Sequence, residues 1–302
     1  MADGPDVAGL FQPLLDQGRQ GPAMLPNSVA ALVPAPIAVA VLSLPDCGDR
    51  RQRLLQRGLP ATWVVRYWPA DDRRHMRPDK QATVFDKDAA WRRYRRLWRG
   101  SELGCALSHR SALRAFLAGS SRLLLVLEDD VIPTTESIET ALNQLVRPML
   151  QARPQPLLCH LGPRPEHLDP ADLRSLRLHV PGHPRFSLRV HQNRNRPLWR
   201  AHAYLISREA ARRCLALEPA GVSLLADDWQ ARRQAGALGL LLVADPPLFR
   251  QDDATASTQQ EPIPASASPP LRSLWQRLGQ GMQYRGLAVA DQVLRRFPYT
   301  LR

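Results

Sequence analysis

The stretch Arg122–Pro133, with the sequence RLLLVLEDDVIP, decides the fold. Five apolar residues, Leu123–Leu127, run into the consecutive acids Glu128, Asp129 and Asp130. A short apolar run that ends in polar residues and a proline predicts a strand buried on both faces of a parallel sheet. Because side chains alternate along a strand, we expect Glu128 and Asp130 to point one way and Asp129 the other.

These three acids lie where a ligand site is expected. In open α/β sheets, ligands bind beyond the carboxyl ends of the strands. Three adjacent carboxylates repel one another, and a divalent cation bound through oxygen atoms relieves that repulsion. The triplet by itself also fits a solvated acidic turn, so its flanking residues must decide between the two interpretations.

The chain is strongly basic and owes its charge to arginine. Its 302 residues suffice for one large domain or two small ones. The formal net charge is +13 at pH 7, and the two lysines are Lys80 and Lys87. Such a balance favours phosphate-bearing partners, namely nucleotide diphosphates, nucleic acid or an anionic membrane face. A genome that prefers arginine codons would give part of the same balance.

Several classes of protein are disfavoured by the sequence. The four cysteines are far apart and include no Cys-x-x-Cys pair, so their spacing suggests neither a zinc site nor a disulfide framework, and reduced thiols in a cytoplasmic protein are expected. The first twenty residues lack the basic start of a secretory signal. The apolar run 28–44 contains Pro34 and Pro36 and is short for a bilayer span, so no transmembrane helix is expected.

The composition divides the chain into four parts. Residues 1–35 form an N-terminal extension, and residues 36–253 form the α/β domain. Residues 254–270 are rich in Ser, Ala, Pro and Gln, as flexible linkers are. Residues 271–302 predict a basic amphipathic helical tail, which would lie on an anionic membrane face or dock on its own domain.

Within the domain, strands and helices alternate. The patterns predict a helix that begins near Asp49, a helix from its N-cap Ser101 to Gly119, and a helix over 134–153. Residues 160–186 are rich in proline and histidine and predict a long loop of the kind that serves as a lid or acceptor site. Strands are predicted over 37–44, 62–67, 157–162, 203–206 and the apolar run from Gly239.

The most basic segment, residues 73–100, has two interpretations. Its arginines alternate with Trp91, Tyr94 and Trp98, which could stack on nucleic acid. The same spacing is that of an amphipathic helix whose aromatic residues pack inward, and we favour this second interpretation. Binding of an anionic acceptor is compatible with either.

Together these motifs carry a resemblance to a known family. GSELGCALSHRSALRAF at 100–116, followed by LLLVLEDDVIP at 123–133, resembles glycosyltransferase family 25, the lipopolysaccharide and lipooligosaccharide galactosyltransferase group. The resemblance extends over about residues 37–253 through IAVAVLSLPDCGDRR, YWPADD, HAYLISREAARRCL and ADDW. Two departures are Ser43, where the family usually has Asn, and the Asp-Arg-Arg after Asp71 in place of the usual Gly.

The resemblance implies a GT-A type, Rossmann-like domain with a mostly parallel central sheet and a DxD-type metal motif. It also implies inverting transfer from a UDP-sugar, UDP-galactose being the expected donor, to a glycan acceptor such as lipopolysaccharide. Such an enzyme would be cytoplasmic and could be peripheral on the inner face of the membrane, and no nucleic-acid partner is expected. A non-catalytic scaffold and a metal-dependent nuclease remain the alternatives, since the nuclease would use the same acids and basic surface.

The site residues follow from the motifs and the resemblance. Glu128 and Asp130 are the expected ligands of Mn²⁺ or Mg²⁺, and His202 is a third candidate that would otherwise be structural. Asp228 resembles the catalytic acid of GT-A enzymes and Asp227 is its rival as the base, unless both cap the helix that begins at Trp229. The expected donor-binding residues are Asp49, Arg50, Asp71, Glu102, Ser108, His109, Asp129 and Gln251, although Ser108 and His109 would also fit purely structural roles within their helix.

Overall fold

The computed structural model describes residues 37–57, 59, 65–151, 155–164, 168–180, 183–193 and 195–252. The predictions for the extension 1–35, the linker 254–270, the tail 271–302 and the first residues of the strand 62–67 therefore lie outside the described residues. Among the described helices, none combines the length and apolar character that crossing a bilayer requires.

The described elements alternate as the sequence predicts. The helices are α1 (Gly48–Gln56), α2 (Lys87–Tyr94), α3 (Gly100–Ala118), α4 (Ile138–Gln151), α5 (Arg208–Ala216) and α6 (Trp229–Gln234). The strands are β1 (Ile37–Ser43), β2 (Val65–Pro69), β3 (Leu123–Glu128), β4 (Val131–Pro133), β5 (Leu157–His160), β6 (Leu173–Val180), β7 (His183–His191), β8 (Ala203–Ser207), β9 (Leu240–Asp245) and β10 (Phe249–Gln251).

One eight-stranded sheet organises the domain. Its strand order is β2-β1-β3-β8-β5-β9-β7-β6, and β4 pairs with β10 in a separate two-stranded sheet. Within the large sheet β8 and β7 run opposite to the other six strands, so most strands point the same way as predicted. The three strands β2, β1 and β3 are mutually parallel, so their carboxyl ends meet at one edge of the sheet.

The predicted strand at the centre of the sequence is buried on both faces. In β3, Leu125 and Leu127 belong to a core cluster that includes the apolar residues of α4. Leu124 and Val126 point into a second cluster with residues of α3 and α5. Burial of both faces explains the unbroken apolar run, because no position between Leu123 and Leu127 faces water.

The helix α3 lies against the segment that follows β2, and its glycines allow the close approach. A Cβ atom on Gly104 would lie 2.3 Å from the carbonyl oxygen of Asp71, and one on Gly100 would lie 1.9 Å from that of Arg73. The predicted N-cap was wrong: the helix begins at Gly100, and the Glu102 carboxylate accepts a hydrogen bond from the backbone N–H of Arg99, which is the N-cap. Ser101 instead lies inside the first turn.

The aromatic segment packs inward, but not as one helix. The helix α2 ends at Tyr94, and Arg95 adopts a left-handed conformation with φ of 55°. Trp98 follows the helix, is fully buried, and contacts the rings of Phe85 and Tyr94 at centroid distances of 5.0 and 5.7 Å. These contacts favour the amphipathic interpretation of residues 73–100 over a stacking surface.

The predicted loop 160–186 was also wrong in part. The strands β6 and β7 form an antiparallel pair that extends the sheet beyond β9. Two of the prolines that suggested a loop lie near strand ends: Pro170 precedes β6, and Pro184 is the second residue of β7, before the residues that pair with β9.

Candidate active site

A cleft opens at the carboxyl ends of β1 and β3. Its volume is about 230 Å³, slightly below the roughly 300–1,000 Å³ of small-molecule sites. Eight of the predicted site residues line it: Arg50, Asp71, Ser108, His109, Glu128, Asp129, Asp130 and Gln251. The fold therefore brings together, in one cleft, predicted site residues from five separate segments of the chain.

All three acids of the triplet reach the same cleft. We expected Asp129 to point away from its neighbours, but β3 ends at Glu128 and the next two residues form a turn before β4, so strand alternation no longer applies. The Oδ2 of Asp129 accepts a 2.5 Å hydrogen bond from the hydroxyl of Ser43, and its Oδ1 accepts one of 3.2 Å from Arg50. Asp129 thus joins β3 to β1 and α1.

The negative charges of Glu128 and Asp130 are poorly compensated by the surrounding residues. Burial and the charges of Asp129 and Asp227 raise the pKa of Glu128 to about 7. Burial and the charges of Glu128 and Asp129 raise the pKa of Asp130 to about 7. The Oδ2 of Asp130 accepts a hydrogen bond of 3.3 Å from Gln251, whereas its buried Oδ1 has no hydrogen-bond partner among the described residues. The two carboxylates therefore offer hydrogen-bond acceptor positions that no described residue occupies.

His109 supports Glu128 from the side of α3. Its Nε2 lies 3.2 Å from the Oε1 of Glu128, and its Nδ1 lies 2.9 Å from the hydroxyl of Tyr204. Burial lowers the pKa of His109 to about 3, so the ring is neutral at physiological pH. We expected the ring nitrogens of His109 to find hydrogen-bond partners within the helix, whereas both partners belong to neighbouring strands.

Ser108 makes the hydrogen bond to the preceding helical turn that its position predicts, and a second hydrogen bond outside the helix. Its hydroxyl donates a 2.6 Å hydrogen bond to the carbonyl oxygen of Gly104 and accepts one of 2.8 Å from the backbone N–H of Asp71. The carboxylate of Asp71 in turn accepts hydrogen bonds from Arg73. Ser108 thus fixes the backbone of the cleft wall that follows β2.

Arg73 and Arg74 also line the cleft, and the sequence reasoning missed them. The favoured interpretation of residues 73–100 was an amphipathic helix whose arginines face water, and only the adjacency of these two arginines to Asp71 and Asp72 could have indicated a place in the cleft. Arg74 pairs with Asp46 and Asp72. Hydrogen bonds from its guanidinium group lower the pKa of Asp72 to about 2. Ser101 and Cys105 were missed as well, although 101, 105 and 108 lie on one face of α3.

The two candidate bases have different environments. The side chain of Asp228 is 1% exposed, caps α6 through the N–H of Ala231, and accepts hydrogen bonds from Arg93 and Tyr94. Burial raises its pKa, but these hydrogen bonds outweigh burial, and the net shift is downward. The helix-cap interpretation is therefore confirmed for Asp228.

Asp227 is not the cap. One of its carboxylate oxygens accepts a 3.0 Å hydrogen bond from the backbone N–H of Arg200. Burial raises its pKa, and its charge contributes to the raised pKa of Glu128. Of the two acids, Asp227 is therefore the one that is electrostatically coupled to the cleft, although neither contributes to its lining.

Besides Asp227 and Asp228, three predicted residues lie outside the lining of the cleft. Asp49 is exposed in the first turn of α1. Glu102 is held by both terminal nitrogens of Arg96. The ring of His202 is buried beside Gly162, where an added Cβ would lie 2.0 Å from its Nε2. His202 contacts the site through its backbone: its carbonyl oxygen accepts a hydrogen bond from the N–H of Glu128.

Comparison with known proteins identifies a family. The family model described as glycosyltransferase family 25 (LPS biosynthesis protein) matches residues 39–220, which is more than half of the chain. No curated protein matches the sequence. The matched range contains most of β1 and the whole of α3 and β3, and with them most of the residues that line the cleft.

Proposed function

The chain belongs to glycosyltransferase family 25, and we propose that it is a metal-dependent, inverting enzyme that transfers galactose from UDP-galactose to a glycan acceptor such as lipopolysaccharide. One observation carries the proposal: Glu128 and Asp130 line the same cleft at the carboxyl ends of parallel strands, and each has a pKa raised to about 7. Ligand sites of open α/β sheets lie at this edge. The parallel order β2-β1-β3 in front of the cleft supports a GT-A type domain.

The charges of the cleft support a requirement for a cation. Five acidic residues line it against three arginines: Asp71, Asp72, Glu128, Asp129 and Asp130 against Arg50, Arg73 and Arg74. Two of the arginines are already paired with Asp71 and Asp72. Without a cation such a surface repels a diphosphate, because charges of the same sign meet in a partly dehydrated site.

The residues present fit a hard divalent cation. The unused Oδ1 of Asp130 and the carboxylate of Glu128 offer oxygen ligands, which Mn²⁺ and Mg²⁺ prefer. We propose that these two residues hold the ion. When bound, it would supply charge that stabilises the departing UDP. His202 is not included, because its buried ring lies beside Gly162.

The other residues of the cleft have roles in binding and positioning. Arg50 lies at the rim with its guanidinium group against Asp129, so it can contact a phosphate while it fixes the triplet. His109 holds the Glu128 carboxylate, and Ser108 holds the wall that carries Asp71. Gln251 orients Asp130 from β10. We propose that this wall and Arg50 bind the nucleotide end of the donor.

We propose Asp227 as the base that removes the proton from the acceptor hydroxyl. A base needs a free carboxylate with a pKa near the working pH. Burial raises the pKa of Asp227, and one of its carboxylate oxygens accepts the hydrogen bond from Arg200, whereas the carboxylate of Asp228 is saturated by Arg93, Tyr94 and its helix cap. This assignment reverses the order that the sequence suggested. Asp228 then positions α6 and, with it, Asp227.

Two further expectations stay proposals. The first is a cytoplasmic enzyme whose residues 271–302 contact the anionic inner face of the membrane, where a lipid-linked acceptor would be found. The second is that nucleic acid is not a partner, which the excess of acids over arginines in the cleft supports, because a polyanion needs the reverse.

A donor assay tests the proposed function. Purified wild type should release UDP from UDP-galactose in Mn²⁺, slowly with water and faster with a truncated lipopolysaccharide acceptor, and Asp130→Ala should release none. Asp49→Ala is the matched control and should release UDP as wild type does, because Asp49 is an exposed acid in the first turn of α1 and lies away from the cleft. A wild type that neither binds nor cleaves any UDP-sugar in Mn²⁺ would support the non-catalytic scaffold instead.

A further inference from the structure

A second group of metal-ligand side chains lies in the wall of the cleft. Among the described residues, the one set of three His, Cys, Asp or Glu side chains whose ligand atoms all lie within 4.8 Å of one another consists of Cys105, His109 and Glu128. Cys105 and His109 are four residues apart on α3, so they share a face of the helix, and Glu128 ends the strand packed against it. All three residues line the cleft, so an ion has a path of entry.

The chemistry of this set differs from that of the acidic pair. Thiolate, imidazole and carboxylate together are typical of Zn²⁺ and other thiophilic ions, whereas Mg²⁺ and Mn²⁺ select oxygen ligands. Three protein ligands with a fourth position open to solvent is the arrangement of accessible zinc sites. The spacing of the cysteines did not predict this set, because the set contains one cysteine and its members come from a helix and a strand.

The surroundings also support metal binding by His109. Its Nδ1 lies 2.9 Å from the hydroxyl of Tyr204, which is buried and packs against the ring of Trp229. A ligating histidine usually engages a polar group through its other nitrogen, which fixes the ring and its tautomer. The Nε2 faces Glu128, the partner with which it would share the ion.

We propose that Cys105, His109 and Glu128 form a binding site for Zn²⁺, distinct from the oxygen site of Glu128 and Asp130. On binding, the thiol releases its proton to solvent. The proton between His109 and Glu128 also leaves: from Nε2 it moves to Nδ1 by a change of tautomer, and from Glu128 it goes to solvent, so that bonds to the ion replace this hydrogen bond. Glu128 belongs to both sites, so we expect each ion to weaken the binding of the other, through the shared carboxylate and the repulsion between two cations. Where the proposed function holds, zinc is therefore an inhibitor that competes with Mn²⁺.

The test measures metal binding by the full-length chain and needs no sugar. Metal-free wild type is titrated with Co²⁺, whose bond to a thiolate gives a near-ultraviolet charge-transfer band, and Zn²⁺ affinity is then measured by competition with a chromophoric chelator. We expect one Co²⁺ with a thiolate band, displaced by one Zn²⁺. Cys105→Ser should abolish the band and weaken zinc binding at least about 100-fold, because even changes outside the ligand shell cost about 10–100-fold.

Two control variants distinguish zinc held by Cys105 from zinc held by another thiol or by the acidic pair. Cys47→Ser, which changes a half-buried thiol outside the set, should keep the band and the zinc affinity. Asp130→Asn should keep both as well, because Asp130 is not a member of the set, and thermal unfolding of each variant verifies that it is folded. The proposal is overturned if wild type shows no thiolate band, if both cysteine variants lose zinc equally, or if Asp130→Asn loses as much affinity as Cys105→Ser. Zinc binding through Cys105 in a protein without transferase activity would refute the proposed function and leave this site standing.

Discussion

Asp130→Asn should stabilise the protein in the absence of a divalent cation. The native environment raises the pKa of Asp130 from 3.8 to about 7, first through burial and then through the charges of Glu128 and Asp129. Asparagine has nearly the same shape and no charge, and it still offers Gln251 a carbonyl oxygen. The substitution therefore removes the cost of holding a carboxylate in this position.

The pH dependence follows from the sign of the shift. Between the unfolded pKa of 3.8 and the folded pKa of about 7, the folded protein holds a proton that the unfolded chain has released. Wild-type stability therefore falls as the pH rises through this window and is level above it. A shift of about three units corresponds to about 4 kcal/mol, and coupling to Glu128 and solvent at the cleft reduce the expected gain to about 2 kcal/mol near pH 8.

The assay is urea unfolding with a chelator at about pH 8 and about pH 4.5, where most of the difference should vanish. Asp72→Asn is the control with the opposite sign: hydrogen bonds from Arg74 lower the pKa of Asp72, so this variant should lose stability near pH 8. Added Mn²⁺ should then stabilise wild type and leave Asp130→Asn unchanged. The reasoning is refuted if Asp130→Asn is no more stable than wild type near pH 8 without cation.

Three other substitutions have distinct expected outcomes. Asp227→Asn should lower kcat by about 10²–10⁴-fold with little change in donor affinity, measured by UDP release, and an unchanged kcat would remove Asp227 as the base. Asp228→Asn keeps a good helix cap but should lower the free energy of unfolding by roughly 1–3 kcal/mol, because Arg93 loses its charged partner, and equal stability would contradict a contribution from this ion pair. Gly104→Ala should displace the carbonyl of Asp71, 2.3 Å from the new Cβ, at a cost of about 1–3 kcal/mol and with weaker UDP binding; wild-type affinity would show that the wall can move freely.

The sequence predicted the elements whose patterns depend on burial. The apolar runs of β1 and β3 are buried on both faces, so nothing polar interrupts them, and their ends locate the cleft. The hairpin of β6 and β7 was missed because residues 160–186 carry the prolines and histidines of a loop, while pairing with β9 is a tertiary effect that no local pattern contains.

Site residues that directly follow a strand could be located from the sequence. The roles of residues whose hydrogen-bond partners are distant in the chain could not. Glu128 and Asp130 follow a strand, so their place at the sheet edge could be deduced. The choice between Asp227 and Asp228 depended on Arg93, which lies 135 residues away in the chain and occupies Asp228. Sequence spacing carries no information about such a contact.

The central claim is that the acids bind a cation and that the cation is needed to bind the nucleotide. Titration calorimetry of wild-type protein with UDP, in Mn²⁺ and then in chelator, tests it most directly. At about pH 8, where Glu128 and Asp130 are ionised, we predict one UDP bound in Mn²⁺ and no measurable binding in chelator, because five acids then face the diphosphate against three arginines. Equal affinity in the two solutions would contradict the claim.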